Sequence, residues 1–279
     1  MGGSLPGRKV RAGRFGSHGV LDLIARDLAW LPQLACRCPP RHDLQAGEPS
    51  FGSPPWTIPR WDDVDYSRLS MPVGEAMFTQ RSIRRLKPDP IPMEDIHLII
   101  EAAVKAPNGG NAQTARFLVV TDRDLIQKFA ALYKEAWWAK RSDQGWKTFD
   151  DLPKDGSSYR NAAQLAEDIK DAPCIVFALA VPPGGAGSVV PATQNLMLAA
   201  RALGIGSIPT TLHPTVMERF NELFGIPKGT QFHFCIPLGY PKGHFGPTSR
   251  KPTTETTFLN TWASPVPWAT EEPVSIPNS

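Results

Sequence analysis

The sequence predicts a β-sheet covered by helices on both faces, and three observations carry that expectation. Helical and strand-like periods alternate from Met71 onward, and the strand-like runs, such as Cys174 to Val181, are short and apolar throughout. Hydrophobic residues make up 41% of the 279-residue chain, enough for a core between layers. Alternation alone leaves parallel, antiparallel and mixed strand pairing open.

Met93–Lys105 places Ile96, Ile99, Ile100, Ala103 and Val104 on one helical face. Pro107 ends that helix, because proline disfavours helical geometry in the residue before it. Arg116–Val120 reads as a strand, and Asp122–Lys140 as a helix with Leu125, Phe129, Leu132 and Ala136 facing inward. Arg141–Ser158 is polar and contains glycine, the pattern of a flexible lid or loop. Asn161–Asp171 reads as a helix, Cys174–Val181 as a buried strand, and Ser188–Leu203 as an Ala/Leu-rich helix ended by Gly204. Ile205–Thr211 reads as a short strand, Thr215–Phe224 as a helix and Phe232–Gly239 as a strand.

The ends differ from this middle. Sixteen of the first 70 residues are Gly or Pro, and the one amphipathic stretch, Val20 to Leu31, suits only a short helix over Leu21–Trp30. Basic residues from Arg8 to Arg14 lack a following apolar stretch, so a secretory signal is not expected. Residues 1–70 are expected to be a disordered extension, with Met71 as a natural start; an ordered arm that wraps a partner is the rival reading. The folded domain is expected over 71–261, and the Pro-rich 262–279 as an extended C-terminal arm.

The net charge of +3 comes from 30 basic and 27 acidic residues. That near balance argues against nucleic acid as a partner, and no apolar run approaches the roughly 18–20 residues of a membrane span. Cys174 and Cys235 sit in apolar runs, where a thiol behaves as a small hydrophobe, and Cys36 and Cys38 lack the paired spacing of a zinc site. A reduced, cytoplasmic protein without a metal is the expectation.

Polar clusters interrupt the apolar pattern in three places. In Gln80-Arg81-Ser82-Ile83-Arg84-Arg85, arginines and a hydroxyl can donate several charge-assisted hydrogen bonds to a phosphate; a solvated basic patch is the plainer reading. Ala106 through Gln113 holds Gly109 and Gly110, which permit close backbone approach, beside Asn108 and Asn111. It also serves as an ordinary helix-terminating turn. Gly246 through Pro252 is a basic, proline-bounded surface loop. No Walker loop, G-x-G-x-x-G, G-x-S-x-G or H-E-x-x-H motif is present. His233 reads as a satisfied core histidine; Trp137 and Trp138 read as core or interface residues that could line a pocket.

Taken in order, these clusters resemble the nitroreductase family. Gln80 through Asp89 is similar to its basic opening R-R-S-I-R-R-F-K-P-D, and Ala106 through Phe117 to its A-P-S-G-x-N-x-Q-P-W-x-F. Pro191 through Gly204 looks like its long interface helix, while Ile236 through Pro241 and Ser249 through Pro252 match its closing strand and phosphate loop. The resemblance spans Met71 to about Trp268.

It implies an α+β sandwich with a central, mostly antiparallel sheet and an intertwined homodimer that binds FMN at its interface. By motif position, Arg81, Ser82 and Arg250 would hold the flavin phosphate, and Arg84 would lie near flavin N1 and O2. Asn108 and Asn111 would reach the flavin from the second subunit, and Thr210 and Thr211 would approach N5 and O4. The implied activity is two-electron transfer from NADH or NADPH to an electron-poor acceptor, nitroaromatic or quinone-like, by a ping-pong mechanism. Flavin N5 would carry the chemistry, with no catalytic side chain. Reductive dehalogenation, flavin destruction and non-catalytic flavin binding are the alternatives. Gln80 replaces a usual arginine, and Thr114-Ala115 replaces the usual Pro-Trp, removing an aromatic wall.

Overall fold

Strand Cys174–Ala180 (β2) is buried along its whole length because both of its faces are covered. Ile175, Phe177 and Leu179 enter one hydrophobic layer, while Cys174, Val176, Ala178 and Ala180 enter the other. The computed structural model describes residues 64–154 and 158–270. These belong to the second of two compact units, Ile58–Ser279. The expected Leu21–Trp30 helix, Cys36, Cys38 and most of the 1–70 extension lie outside the described residues.

Among the described residues the sheet has four strands in the order β1 (Ala115–Val120), β2, β4 (Gln231–Gly239), β3 (Gly206–Ser207). Every neighbouring pair is antiparallel, with Phe117 opposite Ala178 and Val176 opposite Ile236. The pairing direction left open by the apolar runs is therefore antiparallel. Helices α2 (Met93–Val104) and α5 (Ala186–Ala202) cover one face; α3 (Arg123–Ser142), α4 (Tyr159–Asp168) and α6 (Met217–Phe224) cover the other. A short helix α1, Val73–Thr79, precedes them and packs on α5. The α+β sandwich with a central antiparallel sheet, expected from the resemblance, is the architecture observed. No helix among the described residues is long and apolar enough to cross a membrane.

Local chemistry explains the element ends. Asp122 caps α3 by accepting a hydrogen bond from the Leu125 N–H at 2.8 Å. Gly225, at φ +61°, closes α6 in the left-handed conformation.

Several expectations shift. The inward face of α3 is Ile126, Phe129, Ala130, Tyr133 and Ala136; Leu125 and Leu132 sit at its rim. On α2, Val104 is exposed and Leu98 is buried. The strand expected over Ile205–Thr211 shrinks to Gly206–Ser207, with an isolated bridge at Thr210, because Pro209 has no N–H for a ladder. The expected lid is not a loop from its start, since α3 runs to Ser142 and buries Arg141. His233 is not a satisfied core residue: it is the extra residue where the β2–β4 register shifts, and its Nε2 is buried without a partner.

At the start of the described residues, Tyr66–Arg68 form a single 3-10 turn, and Arg68 is ion-paired with the buried Asp95 of α2. At the other end Val266 is buried, and Trp268 Nε1 donates to Thr253 Oγ1 at 3.1 Å.

Candidate functional site

The cationic segment after α1 is seated by its apolar residues. Ile83 and Leu86 are buried, and backbone bonds fix the segment against the end of the sheet. Ile83 N–H donates to Ser207 O at 3.1 Å, Lys87 N–H to Tyr240 O at 2.7 Å, and Lys242 N–H to Arg85 O at 2.9 Å. The seat exists because Gly206 and Gly239, opposite each other in the β3–β4 register, have no side chains. A Cβ on Gly206 would fall 2.8 Å from Ile83 Cγ2, and one on Gly239 would fall 3.0 Å from Leu86 Cβ. Two glycines thus let the arginine-bearing segment lie directly on the sheet.

Arg81, Ser82 and Arg84 line a cleft of about 400 Å³ with Gln194 of α5 and Ser249 and Arg250 of the late loop. Residues more than 160 positions apart therefore converge on one opening. Arg201, near the end of α5, holds the two borders together. Its guanidinium lies 4.2 Å from the Phe245 ring centroid, and its Nε donates to Thr79 Oγ1 at 2.8 Å. Arg250 Nη1 donates to Ser249 O at 2.8 Å. Gln80, which replaces an arginine, lines the same cleft and donates from Nε2 to Met197 Sδ at 3.6 Å.

Arg84 is half-buried, and its Nε has no hydrogen-bond partner. Burial depresses its pKa most strongly; Tyr133 opposes that shift and the neighbouring Arg81 charge adds to it. A half-buried guanidinium beside a second cation, with a buried N–H that has no partner, is favoured when an anion joins it. The cleft has the donor set and charge of an anion site, and it fits a phosphate-bearing ligand.

A second cavity of about 180 Å³ adjoins the cleft, and Arg84 and Pro209 line both. Thr210 and Thr211 line this second cavity with Tyr133, Trp137, Lys140 and Arg141. Thr210 is already engaged: its backbone exchanges two 2.8 Å bonds with Cys235, and its Oγ1 donates to Tyr133 Oη at 2.9 Å. Burial pushes the Tyr133 hydroxyl well above its ordinary pKa, keeping it protonated. Asn108 and Asn111 line neither cavity; Asn108 Oδ1 instead accepts the Gln113 N–H at 2.9 Å. Within one chain, then, the structure gathers Arg81, Ser82, Arg84, Arg250, Thr210 and Thr211, and leaves both asparagines apart. Thr114, at the departure from Pro-Trp, is buried against Gly184, where an added Cβ would fall 1.8 Å from its Oγ1.

Sequence reading missed Gln194, Lys140, Arg141 and Tyr133 as lining residues. A signal existed for α3, where Tyr133, Trp137, Lys140 and Arg141 share one face at helical spacing. Gln194 stood out only as a polar residue in an apolar helix.

The nitroreductase family model matches residues 78–240, more than half of the chain. The chain belongs to the nitroreductase family. The match begins just before the cationic segment and ends with β4, so the loop carrying Ser249 and Arg250 lies beyond it. An Archaeoglobus fulgidus protein described as a candidate NADH dehydrogenase/NAD(P)H nitroreductase is 33% identical over 168 residues, covering 60% of this chain and 83% of its own. The Thermotoga neapolitana iodotyrosine deiodinase is 29% identical over 168 residues, covering 58% and 84%. Among solved structures, an oxidised iodotyrosine deiodinase bound to FMN and 3-iodo-L-tyrosine shares the fold with a TM-score of 0.52. It is 23% identical and covers 65% of this chain and 94% of that one.

Proposed function

We propose that this protein is an FMN-dependent oxidoreductase that passes two electrons from NADH or NADPH to an electron-poor organic acceptor, nitroaromatic or quinone-like. The observation that carries the reading is the cleft in which Arg81, Arg84 and Arg250 converge with Ser82, one arginine keeping a buried, unpartnered N–H. Family membership and a structural neighbour solved with FMN support FMN as the ligand.

In this reading Arg81, Ser82 and Arg250 bind the phosphate, and Arg84 supplies positive charge beside the pyrimidine end of the ring system. Thr211 presents its backbone and hydroxyl toward N5 and O4, because both backbone groups and the hydroxyl of Thr210 are already used. When bound, FMN supplies the two-electron chemistry between nicotinamide and acceptor. The protein works as a homodimer in which the partner subunit's Asn108 and Asn111 complete the site. Exposed apolar side chains at Phe78 and Trp262 are suited to such a contact.

An absorbance spectrum of the purified protein, before and after anaerobic NAD(P)H, tests the whole reading. A bound flavin that NADH or NADPH bleaches, and that nitroarene or quinone re-oxidises with parallel double-reciprocal plots, is expected. A protein that neither carries nor takes up FMN would overturn it. Arg81→Ala or Arg250→Ala should weaken FMN binding about 10–100-fold, from about 1.5–3 kcal/mol per charge-assisted bond. Re-oxidation by 3-iodo-L-tyrosine with iodide release, and not by nitroarenes, would instead select the dehalogenase reading that the Thermotoga neapolitana relative suggests.

A further inference from the structure

The two walls of the anion cleft are held unequally. The wall carrying Arg81 and Ser82 is bonded to the sheet, where Ser82 bridges Ser207 and the Ile83 N–H donates to Ser207 O. The facing loop carries Ser249 and Arg250. Among the described residues, no backbone hydrogen bond joins residues 243–251 to any other segment. The Arg250 side chain donates within the loop, to Ser249 O. Hydrogen bonds to one phosphate from both walls need those walls at a fixed spacing. The loop backbone does not supply it.

Arg201 does. It follows Gln194 and Met197 along one face of α5, and those two residues line the cleft while Arg201 does not. Its side chain is 11% exposed, with Nη2 3.5 Å from Glu75 Oε1. Its Nε donates to Thr79 Oγ1 at 2.8 Å, two residues before Arg81. The guanidinium also lies 4.2 Å from the ring centroid of Phe245, two residues before Pro247 at the cleft wall. Phe245 packs in turn on the core layer that holds Ile83. At the adjoining Gly246, an added Cβ would fall 4.0 Å from Arg81 Nη1, so the walls meet beside this contact. One planar group thus bonds α1 and stacks on the loop at once, which the compact ammonium of a lysine cannot do.

We propose that Arg201 is a positioning residue for phosphate binding. It sets the spacing of Arg81 and Ser82 against Ser249 and Arg250, with its own Nε and Nη2 committed to Thr79 and Glu75. The assignment rests on the reading that the cleft takes the phosphate of FMN, and it extends the control of that phosphate to a residue outside the cleft.

FMN and riboflavin, which differ by the phosphate, are the probes. Each is titrated into the full-length apoprotein and followed by flavin fluorescence quenching, and urea unfolding of the same samples reads stability. Arg201→Met should raise the FMN dissociation constant about tenfold or more and that of riboflavin less than about twofold. Arg201→Lys should recover part of the loss. Thr79→Val and Phe245→Leu keep the Arg201 charge and remove one contact each, so each should cost FMN about threefold or more and spare riboflavin. In Arg201→Met/Phe245→Leu the FMN loss should stay within about twofold of Arg201→Met alone, because both changes open the same clamp.

Equal weakening of FMN and riboflavin in Arg201→Met would mean a general structural role and overturn the proposal. Wild-type FMN affinity in both Thr79→Val and Phe245→Leu would overturn it too, leaving charge alone as the cause. Inorganic phosphate, titrated calorimetrically, separates this proposal from the flavin reading. A wild-type protein that takes up no flavin, yet binds phosphate more tightly than Arg201→Met does, would overturn the flavin reading and leave the clamp standing. FMN bound equally by wild type and Arg201→Met would do the reverse.

Discussion

Gly206→Ala tests whether the seat beneath the cationic segment positions the anion cleft. The added Cβ would lie 2.8 Å from Ile83 Cγ2, 2.9 Å from Ile83 Cβ and 3.1 Å from Gly239 O. Ordinary contact begins at 3.4 Å, so Ile83 must retreat by about 0.5–0.6 Å. Ile83 cannot yield by rotamer alone, because its Cβ is attached directly to the backbone that donates to Ser207 O. The segment carrying Arg81, Ser82 and Arg84 must therefore lift. Overpacking of this kind costs about 1–3 kcal/mol. If half of that falls on the bound state, FMN affinity should drop about 3–10-fold. Flavin fluorescence quenching during titration of the apoprotein measures affinity, and urea unfolding measures stability. In Ile83→Ala/Gly206→Ala the Cγ2 contact is gone, so the combined loss should be smaller than the single losses added together. A Gly206→Ala protein with wild-type FMN affinity and an unchanged urea midpoint would refute the argument.

Other outcomes follow from the same geometry. Phe177 is fully buried, 4.8 Å from the Phe129 ring, 4.9 Å from Phe224 and 5.0 Å from Phe220. Phe177→Ala should cost about 3–5 kcal/mol, seen in calorimetry as a fall of roughly 10 °C or more in Tm; a loss below about 1 kcal/mol would mean the cluster collapses around the gap. Burial lowers the pKa of His233, so the unfolded chain takes up its proton first, near pH 6.5. The stability tied to its neutral form is present above about pH 6.5 and is lost as pH falls toward the lowered native value. His233→Gln should show a smaller loss of unfolding free energy between pH 7 and 5 than wild type, and equal slopes would remove His233 as the cause. Arg84→Ala should retain most FMN but lower its two-electron potential, because reduced flavin carries negative charge near N1. A charge pair at about 4 Å with an effective dielectric near 20 sets a ceiling of about 4 kcal/mol, or roughly 90 mV. Solvent at this half-buried residue reduces that to tens of mV, and an unchanged potential in a redox titration would rule out the role.

The helices and strands were legible because each carries its own period. Met93–Val104 and Arg123–Ser142 show the helical repeat, and Cys174–Ala180 is a strand-length apolar run. The cationic cluster at Arg81–Arg85 and the loop at Ser249–Arg250 were visible for a similar reason: charge stands out where the chain leaves its apolar pattern. Details that depend on a partner strand were not legible. The short β3 and the bulge at His233 are settled by which groups across the ladder can hydrogen-bond, and Pro209 cannot.

By itself, then, the sequence determined the element types, the residues able to hold an anion and the family to which the chain belongs. The tertiary structure alone decided that Arg81 and Arg250 share a cleft, that Asn108 and Asn111 stand outside it, and that Arg141 turns inward beside Trp137. Periodicity is a local property of the backbone, whereas convergence depends on how layers pack. Here it depends on a pair of facing glycines, Gly206 and Gly239, whose missing side chains make room for a segment distant in the chain.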